Sequence, residues 1–274
     1  MHIADVIFEK IKNYNTDKLF EEVYQQTNSE LYWRMVGELH SRGSQIIFNR
    51  IKELSISQDS KNREIAADLL GQLRKGKELL FHNESVNMLI EFLNDPNETV
   101  IESAAFSLGH RHDLSAIEQL LRLVNHINPD IREGVVSGLS GLEDKRAING
   151  LIQLSQDDDY DVQNWAVFGL ASQCKMDTKE IRQALIAHIN NEDCEIRGEA
   201  FIGLAMRQDK RVKLSIIKEL KGEFHGTWVL DAVIEMPDSD YLPYLLKLHE
   251  HMIKDNEEQR FIVNVEEAIK ACQI

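Results

Sequence analysis

The chain has 274 residues, a net charge of −15 at pH 7 and a pI of about 5.1. Such a field disfavours phosphate backbones and anionic membranes as partners and favours a basic one; acid that merely keeps the chain soluble is the plainer alternative. Apolar residues make up 43%, enough for a continuous core, and only four prolines interrupt the chain, which suits a mainly helical protein. Cys174, Cys194 and Cys272 form no CxxC and fit a reducing compartment. Asp5, Glu9, Lys10 and Lys12 break any signal-peptide core, and no uncharged run is long enough to span a bilayer. The expectation is a soluble, cytoplasmic protein.

Residues 1–57 read as helices with apolar spacings of three and four: Ile3, Val6, Ile7 and Ile11, then Leu19, Phe20 and Val23, then Leu31, Met35 and Leu39, then Ile46, Ile47, Ile51 and Leu54. Gly43 is a helix stop. This stretch is expected to be an atypical helical cap over a repeat array.

Residues 58–222 carry the repeat. NETVIESAAFSLG (Asn97–Gly109), NPDIREGVVSGLS (Asn128–Ser140), DYDVQNWAVFGLA (Asp159–Ala171) and DCEIRGEAFIGLA (Asp193–Ala205) share one skeleton. Each has a β-branched anchor, a small or apolar residue four later and a Leu eight later. The anchors Val100, Ile131, Val162 and Ile196 are 31, 31 and 34 apart. A weaker copy, Asn62–Gly71, has Asn62 in the anchor place. A period of this length marks stacked supersecondary units. The skeleton forms the second (B) helix of each unit. The first (A) helices are Val86–Leu93, Ala116–Val124, Ala147–Leu154 and Ile181–Ile189, joined by short polar turns. Pro96 and Pro129 sit where a helix begins, losing no donor. Asp113, Asp144, Asp177 and Asp209, spaced 31, 33 and 32, lie between each B helix and the next A helix. There an Asp accepts orphan amides or braces the turn. Residues 223–274 hold degenerate units: a B helix at Thr227–Ile234, an A helix at Tyr241–His251 and a final B helix at Glu257–Ala271, with Pro237 and Asp238 at the turn.

These residues resemble HEAT repeats of the short bacterial type also found in phycobilin lyases. The likeness lies in Pro129-Asp130-Ile131-Arg132, Glu195-Ile196-Arg197 and the turns LEDKRA (Leu142–Ala147) and RQDKRV (Arg207–Val212). It covers about residues 58–220 and implies an all-α fold. The expected form is one elongated, right-handed α-solenoid of helix pairs over 1–274, with atypical capping helices at both ends. DVQNWAVF (Asp161–Phe168) and EIRGEAFIGLAMRQDKRV (Glu195–Val212) further resemble bacterial HEAT-repeat proteins encoded beside Rhs-type polymorphic toxins, held to be immunity proteins that neutralise a cognate toxin.

Counted from each anchor, positions 0, +4, +7 and +8 share the core face; −1, +2, +3, +6 and +10 lie opposite. The family resemblance places that second arc on the concave side. It reads Thr99, Glu102, Ser103, Phe106 and His110; then Asp130, Glu133, Gly134, Ser137 and Gly141; then Asp161, Asn164, Trp165, Phe168 and Ser172; then Glu195, Gly198, Glu199, Ile202 and Met206. Glu98 and Tyr160 lie just before their arcs. The implied groove is acidic with an aromatic centre, and Gly134, Ser137 and Gly141 make a low spot beside Trp165 and Phe168. The partner-binding candidates are Glu102, Phe106, Asp130, Glu133, Tyr160, Asp161, Asn164, Trp165, Phe168, Glu195 and Glu199. Aromatics supply contact area at low rotamer cost, and acids steer a basic partner. The competing structural reading has Phe106 and Phe168 filling gaps between neighbouring B helices, and the acids forming a solvated face.

No catalytic motif stands out. His110 with His112, and His249 with His251, point about 200° apart on a helix and cannot jointly ligate there. His110–Asp113 lies at a helix end, where chelation is possible, yet no complete metal set is visible. Cys174 and Cys194, expected in turns with no basic cluster nearby, read as inert thiols. Asp157–Asp159 with Asp161 lacks the glycine and terminal glutamate of a calcium loop. No Walker loop, GxSxG or HExxH is present. The sequence therefore points to a non-enzymatic scaffold, monomeric when free, that binds a basic protein and needs no cofactor or metal. The alternative is an enzyme or enzyme subunit of the phycobilin-lyase type, or of the HEAT-like DNA-glycosylase type with Asp161 and Trp165 one turn apart. A glycosylase groove must hold phosphates with Lys and Arg, and this one is mostly acidic.

Overall fold

The computed structural model describes residues 3–222, 226–254 and 259–273, with side chains from Phe8 onward. The side chains of Ile3, Val6 and Ile7, and the residues Glu257 and Glu258 at the expected start of the last helix, lie outside the described residues. The fold is all-α apart from one small hairpin, and it packs as two compact units, Met1–Leu139 and Ser140–Ile274. Each unit is a solenoid stack of helix pairs.

The first unit holds α1 (Ile3–Lys12), α2 (Thr16–Gln25), α3 (Ser29–Ser41), α4 (Gln45–Ser55), α5 (Ser60–Gln72), α6 (His82–Phe92), α7 (Glu98–Arg111), α8 (Ile117–Leu121) and α9 (Pro129–Leu139). The B helices α5, α7 and α9 lie side by side. The second unit holds α10 (Lys145–Leu154), α11 (Tyr160–Phe168), α12 (Lys179–His188), α13 (Cys194–Met206), α14 (Lys213–Lys221), α15 (Trp228–Glu235), α16 (Leu242–Lys254) and α17 (Gln259–Cys272). There α11 packs on α13, α13 on α15, and α15 on α17. The hairpin pairs Arg74–Lys75 with Glu78–Leu79 around Gly76, whose φ of 61° is the left-handed conformation that a two-residue turn needs. It rests on the turn after α3, where a Cβ on Gly43 would clash with the Arg74 carbonyl.

Each B helix begins with the same local chemistry. Asp59, Asn97, Asn128, Asp159 and Asp193, three residues before the anchor position, accept amides of the first turn. One residue past the anchor, Arg63, Arg132 and Arg197 donate back to the carbonyls of Ser57 and Gln58, His126 and Ile127, and Asn191 and Glu192. In the third copy Gln163 bonds the Asp157 carbonyl instead. The arginine of the repeat motif thus closes the turn behind it. Beyond the caps the skeleton is core: Val100, Ala104 and Leu108, Ile131, Val135 and Leu139, Val162, Ala166 and Leu170, and Ile196, Ala200 and Leu204 are all buried. Each such Val, Leu or Ile contributes about 1.5–3 kcal/mol.

The turn aspartates divide. Asp113, Asp144 and Asp209 accept the amides of Ser115, Arg146 and Arg211. Asp177 does not cap; Thr178 does, and Asp177 instead accepts from Arg182 Nε at 2.6 Å. Asp238 continues the ladder, accepting the Asp240 amide and Lys213 Nζ. Two arginines eleven residues past their anchors, Arg111 and Arg207, are buried and reach the preceding B helix. Arg111 donates to the carbonyls of Leu70 and Leu80. Arg207 donates to those of Leu170, Ala171, Cys174, Met176 and Gly203.

Candidate functional site

Both units expose an acidic face on their B helices. In the first unit Glu102 and Phe106 of α7 and Glu133 of α9 are half-buried, and Asp130 is exposed. Burial pushes the Glu102 carboxyl up, and the charges of Asp130, Glu64 and Glu133 push it further. Glu102 makes no ion pair of its own among the described residues. The low spot expected at Gly134 is filled: Gly134 is buried, and a Cβ there would meet the Ala105 Cβ at 2.9 Å and the Phe106 ring at 3.4 Å. Glycine allows α7 and α9 to approach, and Phe106 covers the gap, as the structural reading of that residue holds.

The same face extends further than the strong repeats. On α5, Glu64 and Asp68 stand two and six residues past Asn62, the places that Glu102 and Phe106 take in the next copy. Asp68 is 6% exposed and accepts from the Tyr32 hydroxyl of α3 at 2.5 Å. Burial raises its pKa to about 7, against the lowering effect of hydrogen bonds from Tyr32 and Ser103. Lys61 lies 5.2 Å from the centroid of the Tyr32 ring. Trp33 meets Tyr32 edge-on at 5.3 Å and is exposed.

In the second unit Tyr160, Asp161, Trp165 and Glu195 are exposed, and Asn164, Phe168 and Glu199 are half-buried. Trp165 is 48% exposed and stands at right angles to Phe168, centroids 5.7 Å apart. Two hydroxyls cross from α11 and the turn after it to α13. Tyr160 donates to Glu195 Oε2 at 3.2 Å, and Ser172 to Glu199 Oε2 at 3.0 Å. Burial raises the Glu199 pKa, as do the charges of Asp231 and Glu195, while Ser172 opposes the rise. Asp231 of α15 is itself raised by burial and by Glu235. Gly198 is buried against Trp228 and lies off the open face.

The residues weighed for other chemistry sit apart from these faces. His110 is exposed near the end of α7, and His112 forms its left-handed cap with φ 48°. The Asp113 carboxylate instead meets His82 Nε2 at 2.9 Å. His249 contacts Glu266. Among the described residues no group of three or more His, Cys, Asp or Glu is placed to hold a metal. Cys174 is buried, and burial pushes its thiol up; Cys194 opens α13 rather than lying in a turn. Among the described residues no helix is long and apolar enough to cross a membrane.

Residues 86–171 match the family model for HEAT repeats. Over 71 residues the chain is 35% identical to Protein YibA of Escherichia coli (strain K12), a match that covers 26% of this chain and 25% of that protein. The matched stretch thus spans about a quarter of that relative's length. The crystal structure of YibA from E. coli superposes with a TM-score of 0.74 and 26% identity, covering 98% of this chain and 97% of that one. A crystallised engineered protein superposes with a TM-score of 0.50 and 15% identity, covering 92% and 77%. Residues 86–171 carry HEAT repeats, and the helical packing in each unit is that of an α-solenoid.

Proposed function

We propose that this chain is a non-enzymatic scaffold that binds a basic protein through the acidic B-helix faces, and that the partner is a toxin which the chain neutralises as an immunity protein in the cytoplasm. The observation that carries the reading is the state of Glu102 and Glu199. Both carboxylates are half-buried, crowded by like charges and without an ion pair among the described residues. A cation brought by a partner to either carboxylate relieves its repulsion, where water alone leaves the repulsion in place. Tyr160 and Trp165 beside them supply exposed aromatic area of the kind that anchors protein contacts. The toxin assignment draws on the likeness of Asp161–Phe168 and Glu195–Val212 to proteins encoded beside Rhs-type toxins. No specific observation favours the lyase or glycosylase alternative, and the acids around Asp161 and Trp165 oppose a phosphate-binding groove.

The test is co-purification with the product of the neighbouring gene, with light scattering of the free chain to establish its monomeric state. Reversing Glu102, Glu133 and Glu199 to lysine together with Trp165→Ala abolishes capture if the reading is right. Unchanged capture by that variant defeats it.

A further inference from the structure

We propose that α11 and α13 read one arginine side chain of the basic partner, the guanidinium stacking on the Trp165 indole and its N–H fork reaching the Glu199 carboxylate. The inference rests on the protein-binding reading above and names the chemistry of one contact within it.

Trp165 and Glu199 hold the same place in consecutive copies, three residues past Val162 and Ile196. They stand on packed neighbours, α11 and α13. Axes of packed helices lie about 8–10 Å apart. Ser172, which holds Glu199, lies two turns on from Trp165 on the same side of the helix, a span of about 10 Å on the scale of one extended arginine side chain. Phe168 meets the indole at 81° and fixes it without covering it, since nearly half of Trp165 stays exposed. The carboxylates are pre-set in the same way. Ser172 holds Glu199 by Oε2, and Tyr160 holds Glu195 by Oε2. In each, Oε1 is left with no hydrogen-bond partner among the described residues.

The helix is shaped locally around this spot. Directly after Phe168, α11 widens into a π-helical turn, Gly169–Gln173, which carries Ser172. Arg207 clamps the turn through the carbonyls of Leu170, Ala171 and Cys174. The arginines of α13 and the turn after it do not supply the missing cation: Arg197 pairs with Glu219 at 2.9 Å, and Arg207 spends its donors on carbonyls.

Arginine fits better than lysine. Its planar, weakly hydrated guanidinium stacks on an aromatic face and presents a fork that matches a carboxylate, whereas an ammonium is a compact, strongly hydrated point charge.

Three peptides test the assignment, each a Gly-Ser chain bearing four arginines, four lysines or four citrullines. Indole N–H resonances of the full chain are followed during titration, and Trp165→Leu identifies the signal of Trp165. The expected result is a shift of that signal with the arginine peptide, binding several-fold tighter than the lysine peptide, and none with citrulline. Trp165→Leu and Glu199→Gln each weaken the arginine peptide about three- to tenfold, in line with an exposed cation–π contact and one charge-assisted pair. Trp165 is exposed and Glu199 half-buried, and urea midpoints for the variants no lower than the parent's confirm that the fold is kept. Equal affinity for arginine and lysine, or a silent Trp165 signal in the millimolar range, overturns the inference. A captured protein partner that ignores Trp165→Leu also overturns it while leaving the scaffold reading intact. Loss of the scaffold reading shows separately, as failure of the charge reversals to affect capture.

Discussion

Asp68 is the most exacting test of the electrostatic reasoning. Its carboxylate is 6% exposed, accepts from Tyr32 at 2.5 Å, and shares its surroundings with Ser103, Glu64 and Lys61. Its pKa rises from 3.8 to about 7 on folding, chiefly through burial. The folded state therefore binds the proton more tightly than the unfolded chain. Stability is greatest below the unfolded value, falls as pH climbs from about 4 to about 7, and is flat above. A span of about three units corresponds to about 4 kcal/mol as a ceiling. Asp68→Asn removes that dependence. The amide oxygen still accepts from Tyr32, while losing the extra strength of bonds to a charged acceptor costs about 1 kcal/mol. The variant is thus expected to be more stable than the parent by about 1–3 kcal/mol at pH 8 and equal or slightly weaker near pH 4. Buried His40, pushed down to about 4, adds an acid-side loss common to both proteins, which cancels in the difference. Urea unfolding at pH 4.5, 6 and 8 measures it. A difference that stays constant across that range, or a variant weaker at pH 8, refutes the argument.

Arg207→Met leaves five carbonyl groups without their shared donor and is expected to cost about 3–5 kcal/mol in urea unfolding, at about 1 kcal/mol per lost bond; a cost under about 1 kcal/mol contradicts the clamp. Gly203→Ala places a Cβ 2.7 Å from the Cα of Ala171, so α13 must shift from the π turn, lowering stability by about 1–3 kcal/mol; an unchanged urea midpoint contradicts that packing. Binding of a basic partner lowers the raised pKa values of Glu102 and Glu199, so the complex holds fewer protons than its parts. Affinity then rises with pH above the usual carboxylate range, and calorimetry in buffers of different ionisation enthalpy shows proton release; pH-independent binding contradicts it.

The scaffold was legible because its signal is periodic. Val162, Ala166 and Leu170 recur in kind at a fixed register, and burial follows that register into α7, α9 and α13. Two kinds of feature escaped. The first lies in the degenerate copy: with Asn62 in the anchor place, Glu64 and Asp68 carried no flag, although their offsets match those of Glu102 and Phe106. The second is tertiary. The π turn after Phe168 is held by Arg207 arriving from the next copy, a contact that Gly169–Gln173 alone does not announce. Register alone puts Gly134 and Gly198 on the open face, and a glycine has no side chain to show which way it packs. The structure makes them contact points for Phe106 and Trp228. The eleven-residue offset of Arg111 and Arg207 was countable in advance, but its meaning required knowing which carbonyls of the preceding copy it meets.

The placement of charge separates two demands on one helix. At the anchor, +4 and +8 positions of the four strong B helices the chain places apolar residues, and at the turns it pairs acid with base: Arg63 with Asp95, Arg182 with Asp177 and Asp209, Lys213 with Asp238. The turns thus show that this chain places counter-ions where it needs them. On the B-helix faces it does the opposite, setting Glu102 among Asp130, Glu64 and Glu133, and Glu199 among Asp231 and Glu195. A protein that needed only solubility could hold such charges on exposed, hydrated stems at no cost. Half-burying them beside like charges weakens the free chain, a cost that a proton or an added cation relieves and that the proposed basic partner would remove.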